Sequence, residues 1–162
     1  MATKMDPIAE FREDHRKVRD YILDIVAALD AGDIPKARAT LGGLDAMVGP
    51  HFRYEEEHLY PVLKQFLGEY IDQLISEHDG AIDTAKACAA LLGKDSLSDE
   101  EREAGKKAAM GLLIHVSNCD GLAILSERFS QAELDDLGDK YIKAREANVG
   151  MLDWAGTIRN KS

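Results

Sequence analysis

The chain has 162 residues, about the size of one domain with one buried core, and its 45% hydrophobic and 31% charged content exclude a disordered tail. Thirty Asp and Glu against 20 Lys and Arg give a net charge of −10, which argues against nucleic acid or an anionic membrane surface as a partner. No apolar run is read as long enough to cross a bilayer, and the N-terminus Met1-Ala2-Thr3-Lys4-Met5-Asp6 lacks the apolar stretch of a secretory signal, so residence in the cytoplasm is expected. Cys88 and Cys119 form no C-x-x-C pair and are expected to be free thiols.

Asp6-Pro7 supplies a capping side chain and a residue suited to a first helical turn, and Gly32 closes the first helix. Its expected inner face is Ile8, Phe11, His15, Val18, Ile22, Ile25 and Leu29, spaced by three and four. A second helix is expected from Asp33–Pro35 to Gly68, facing inward with Ala37, Leu41, Leu44, Val48, His51, Glu55, His58 and Val62 and kinked or broken at Pro50 and Pro61.

A third helix is expected from Glu69 to Leu92, with Ile71, Leu74, His78, Ile82, Ala85, Ala89 and Leu92 inward and Gly93 as its stop. Ser98-Asp99-Glu100-Glu101 fits a capping box and opens a fourth helix, whose inner face reads Ala104, Ala108, Gly111, His115, Leu122, Leu125 and Phe129. A second capping box, Ser130-Gln131-Ala132-Glu133, opens a fifth with Leu134, Leu137, Tyr141, Ala144 and later Trp154 as apolar anchors. The expected fold is all-α: an up-down-up-down four-helix bundle over residues 1–130, with residues 131–162 as a helical extension packed on the same domain.

All five histidines, His15, His51, His58, His78 and His115, fall on expected inner faces, although such seams occupy well under half of helical positions. A single buried histidine is ordinarily satisfied by a neighbouring polar group; five converging with carboxylates offer nitrogen and oxygen donors suited to iron, manganese or zinc. Glu55 follows His51 by four, which puts both on one helix face. His58 follows Glu55 by three, a Glu-x-x-His of the type used by di-iron carboxylate proteins, in a single copy. His115 and Asp120 are five apart, about 140° around a helix, a spacing that alone reads as a surface acid.

Asp14-His15, His51-Phe52-Arg53-Tyr54-Glu55-Glu56-Glu57-His58-Leu59-Tyr60-Pro61, Glu77-His78 and His115-Val116-Ser117-Asn118-Cys119-Asp120 together resemble the hemerythrin-like, or HHE cation-binding, family over most of the first 130 residues. The resemblance implies two iron ions bridged by Glu55, Asp120 and an oxo or hydroxo group, with histidines completing each ion and oxygen or nitric oxide binding at an open position. Two departures stand out. Leu74 occupies the position of an expected histidine four residues before His78, and Cys119 stands where other members place a glutamate.

His58 is expected to supply the missing ligand, giving the set His15, His51, Glu55, His58, His78, His115 and Asp120, with Tyr54, Tyr60 and Cys119 next in line. Cys119 reads as a packed small apolar residue. Asp14, Glu56, Glu57 and Glu77 read as solvent-facing helix charge, with Asp14 or Glu77 able to orient a histidine.

The leading functional expectation is a binding protein or sensor for oxygen or nitric oxide; the alternative is a di-iron enzyme that acts on peroxide or handles iron under oxidative or nitrosative stress. A metal-free helical interaction module is the third reading. The chain is expected to be a monomer or homodimer.

Overall fold

A computed structural model describes residues 4–159. Among the described residues all regular structure is helical: α1 (Pro7–Asp30), α2 (Ile34–Tyr54), a π-helical turn (Glu55–Leu59), α3 (Tyr60–Leu67), α4 (Tyr70–Leu92), α5 (Asp99–Asp120), α6 (Ala123–Ser126), α7 (Gln131–Ala147) and α8 (Met151–Thr157). Asp6 accepts hydrogen bonds from the Ile8 and Ala9 amides, and both capping boxes close reciprocally, Ser98 with Glu101 and Ser130 with Glu133.

The long helices touch in a closed ring, α1 on α2, α2 on α4, α4 on α5 and α5 back on α1. Two apolar clusters fill the ring. One holds Val18, Ile22, Ile25, Val48, Ile82 and Ala109, and the other Phe11, Tyr54, Leu74, Cys119 and Tyr141. His15, His51 and His78 each lie in sequence between members of the two, so a polar layer is inserted where one apolar cluster ends and the other begins.

Pro50 stays inside α2 without ending it, and the expected break takes the form of the π turn. Within that turn the Tyr60 amide bonds to the Glu55 carbonyl, five residues back, and Pro61 falls in the first turn of α3, where no N–H is required. A π turn adds one residue to the helical register. Consequently the inner face expected at His58 and Val62 passes to Leu59 and Leu63, which are buried.

The inner face of α5 is also displaced by one residue from expectation, to Gly105, Ala109 and Cys119. Small residues occur in adjacent pairs along this helix, Ala104-Gly105 and Ala108-Ala109, so its apolar periodicity does not choose between two faces. On α4, Cys88 rather than Ala89 is buried. The fourth helix does not continue to Phe129 but ends at Asp120, and the short α6 follows. Contrary to the reading of the sequence, the stretch Asp99–Ser126 is long and apolar enough to cross a membrane by length and composition; in the fold it forms one wall of the ring.

The segment after residue 130 packs on the bundle. α7 contacts α1 and α2, and α8 contacts α2 and α4, with Met151 and Trp154 buried in the first cluster. Gly49 makes this possible: a Cβ there would fall on the Val149 carbonyl and within 2.6 Å and 2.7 Å of Gly150 C and Met151 N. Asp45, one turn earlier, accepts the Leu152 amide at 2.9 Å and so ties down the start of α8.

Gly49→Ala is therefore expected to destabilise the protein by about 1–3 kcal/mol, read as a lower urea midpoint. Gly42→Ala, where a Cβ meets nothing within 4 Å, should be neutral or stabilising by up to about 1 kcal/mol. Equal midpoints for the two variants would contradict the close approach of residues 149–151 to α2.

Candidate metal centre

Glu55 has no exposed surface and is the hub of the polar layer. His51 Nε2 lies 2.7 Å and His15 Nε2 3.8 Å from Glu55 Oε1, and His78 Nε2 lies 2.9 Å from Oε2. The i,i+4 spacing on α2 aligns His51 with Glu55, and the π register carries Tyr60, five residues on, to the same carboxylate: its hydroxyl donates to Oε2 at 3.2 Å. Cys119 donates its thiol hydrogen to Oε1 at 2.8 Å.

The outer nitrogens are equally ordered. His51 Nδ1 meets Asp14 of α1 at 3.2 Å, and His78 Nδ1 meets Glu56 of the π turn at 2.7 Å. His115 Nδ1 meets Glu77 of α4 at 2.9 Å, and His15 Nδ1 meets Asp120 of α5 at 3.0 Å. Each wall of the ring thus lends one carboxylate to the histidine of the next, and the cycle closes. A carboxylate on Nδ1 favours the tautomer that leaves the Nε2 lone pair for a metal, so this pattern suits metal-ligating histidines.

Two arginines from the C-terminal segment brace the carboxylates. Arg145 of α7 donates to Asp14 at 3.0 Å and to Glu10 at 2.9 Å, while Tyr141 donates to Asp14 and stands 3.0 Å from His51 Nδ1. Arg159, beyond α8, has a side chain only 2% exposed, and it donates to Glu56 through two nitrogens, each at 2.9 Å, and to Asp79 at 2.6 Å.

Burial alone would lower the pKa of His51, but Glu55 and Asp14 overcome it and raise it to about 10. His78 is likewise raised against burial, by Glu55 and Glu56. Burial would raise Glu55, yet His51, His15 and His78 hold its carboxyl well below the usual range. His115 goes the other way, lowered by burial and by His78. The layer therefore stabilises positive charge around Glu55, carried by protons when no cation is present.

The donors divide into two groups that could each hold a cation, with ligand atoms within 4.8 Å of one another: His15, His51 and Glu55, and Glu55, His115 and Cys119. Glu55 belongs to both. Imidazole nitrogens each backed by a carboxylate, together with a fully buried carboxylate, fit one or two transition-metal ions.

Of the residues singled out from the sequence, the structure brings His15, His51, Glu55, His78 and His115 together. It does not bring His58 there: the π turn rotates that side chain outward, and its nearest charged partner is Glu57 at 3.8 Å. Burial and Lys140 of α7 lower its pKa. Asp120 reaches the outer nitrogen of His15 and Arg12 instead of the centre, as its 140° offset from His115 dictates.

Asp14, Glu56 and Glu77 are not idle helix charge; only Glu57 is, paired with Arg53 on the surface. Tyr54 packs on Tyr141 at 4.0 Å between ring centroids, whereas Tyr60 and Cys119 stand at the centre. Tyr141, Arg145 and Arg159 have no local signal for these roles, because each meets its carboxylate or histidine partners from 80 or more residues away.

The family model described as the hemerythrin HHE cation binding domain matches residues 6–121, a span that holds every candidate metal ligand above. No curated protein and no solved structure gives a match.

A raised histidine pKa contributes stability that is complete below the ordinary value of 6.5 and is lost as pH rises through the folded value, about 10 for His51. Cys119 and Tyr60, raised first by burial and then by Glu55, act in the same direction at alkaline pH. Chelator-treated protein is therefore expected to melt at a lower temperature at pH 10 than at pH 6.5; a flat or rising melting temperature would contradict the charge assignment.

Proposed function

This chain belongs to the hemerythrin HHE cation-binding family, and from that premise we propose that it is a cytoplasmic non-haem di-iron protein that binds or senses oxygen or nitric oxide within an up-down-up-down bundle. The observation that carries this reading is the sharing of buried Glu55 between two donor groups, which supports a role for it as a carboxylate bridging two ions. On one side stand His15 and His51, and on the other His78 and His115. Asp120 is assigned to orienting His15, not to bridging.

Iron at this position would supply a redox-active centre that takes a diatomic ligand. The chain does the rest. The carboxylate ring holds each imidazole in one orientation, and Tyr60 places its hydroxyl oxygen 3.2 Å from Glu55 Oε2 and 3.1 Å from His78 Nε2.

His15, His51 and His115 also border a cavity of about 50 Å³, otherwise lined mostly by apolar side chains that include Val18, Ile22, Ile25, Val48 and Leu112. Such a space exceeds the roughly 10–15 Å³ that one water requires but offers few polar partners, which suits an uncharged diatomic. Peroxide would find no hydrogen-bonding wall beyond the histidines. That difference ranks the carrier or sensor above the peroxide-handling enzyme.

The test is anaerobic loading with ferrous iron, a count of bound iron per chain and a visible spectrum before and after oxygen. Two irons and a reversible oxygen-dependent band are expected, in the parent protein and equally in His58→Ala. Irreversible oxidation with peroxide consumption would favour the enzyme, and the absence of stoichiometric iron would refute the di-iron reading.

A further inference from the structure

The two donor groups around Glu55 are chemically unequal. The group on the α1 side contains only nitrogen and oxygen, whereas the group on the α5 side contains a sulfur, Cys119 Sγ, with His115 and Glu55. Cys119 has no exposed surface, and it sits in a cluster of metal-type donors, not alone in an apolar core. Leu74, on α4, stands where the family resemblance implies a histidine, and it is fully buried and offers no donor. His58 does not fill the gap.

We propose that Cys119 does: its thiolate is a ligand of the second ion, with His115 and Glu55, so that the pair of positions is one hard and one mixed. This rests on the metal-binding reading above. The geometry is prepared for it. The thiol hydrogen already points at Glu55 Oε1, so the bond broken on metal binding is S–H, the bond formed is sulfur to metal, and the proton passes to solvent with no change of oxidation state. Tyr60, whose hydroxyl is 3.5 Å from Sγ, then serves as hydrogen-bond donor to the thiolate.

Thiolate favours softer cations than do imidazole and carboxylate, so the two positions should fill in different order with different metals. Each histidine of this side keeps its outer carboxylate, Glu56 for His78 and Glu77 for His115, and neither of those groups competes for the sulfur.

Cobalt(II) titrated anaerobically into metal-free protein gives the direct test, because a cobalt–thiolate bond produces a near-ultraviolet charge-transfer band that imidazole and carboxylate do not. The parent protein should bind two equivalents and show the band for one of them. Cys119→Ser should lose the band and bind the second equivalent at least tenfold more weakly. Cys88→Ser, which alters the other buried thiol, should keep both, and retention of the helical circular dichroism signal shows that each variant is folded. Two equivalents of cobalt without a sulfur band, or a band lost in Cys88→Ser and kept in Cys119→Ser, would overturn the Cys119 assignment and leave the di-metal reading standing. No cobalt bound by folded parent protein would overturn both.

Discussion

A carboxylate buried with no exposed surface is costly unless positive charge meets it, and Glu55 sets that requirement for the whole bundle. His51 and His78 meet it directly, and His15 stands just behind. Those imidazoles are themselves buried, so their outer nitrogens need partners, and Asp14, Glu56 and Asp120 provide them. Arg145 and Arg159 in turn offset two of those acids. Charge alternates outward from the centre, and every layer depends on the one inside it.

That alternation explains why the C-terminal segment matters to a site whose donors all lie within residues 6–121. α7 and α8 bring Tyr141, Arg145 and Arg159 against Asp14 and Glu56, and the seating of residues 149–151 on Gly49 fixes the path between the two helices. The bundle walls supply the donors, and the extension holds their orientation. A metal entering such a layer would replace protons rather than create a new charge balance, which is the usual coupling between metal affinity and proton release.

Much of this was legible in the sequence where the signal is local. The caps at Asp6, Ser98 and Ser130, most of the inner faces of α1 and α4, and the burial of His15, His51 and His78 follow from spacing alone. His58 was not placed correctly, because a π turn leaves no distinctive residue pattern and moves every later position by one. The face of α5 was ambiguous where alanine and glycine sit side by side. The carboxylate ring was hidden because each acid serves a histidine on another helix: Asp14 adjoins His15 in sequence yet bonds His51, and Glu77 adjoins His78 yet bonds His115. Adjacent pairs in the sequence suggested local partners, and the tertiary packing exchanges them.

The central claim is that one carboxylate joins two cation positions. Anaerobic titration of ferrous iron into Glu55→Gln, with bound metal counted per folded chain, addresses it most directly, since glutamine keeps the shape and removes the charge. If Glu55 bridges, both equivalents should weaken together, by at least about tenfold each, the loss of one charged ligand interaction of roughly 1.4 kcal/mol or more. Retention of one equivalent at parental affinity would show that Glu55 serves a single ion and would contradict the bridged arrangement.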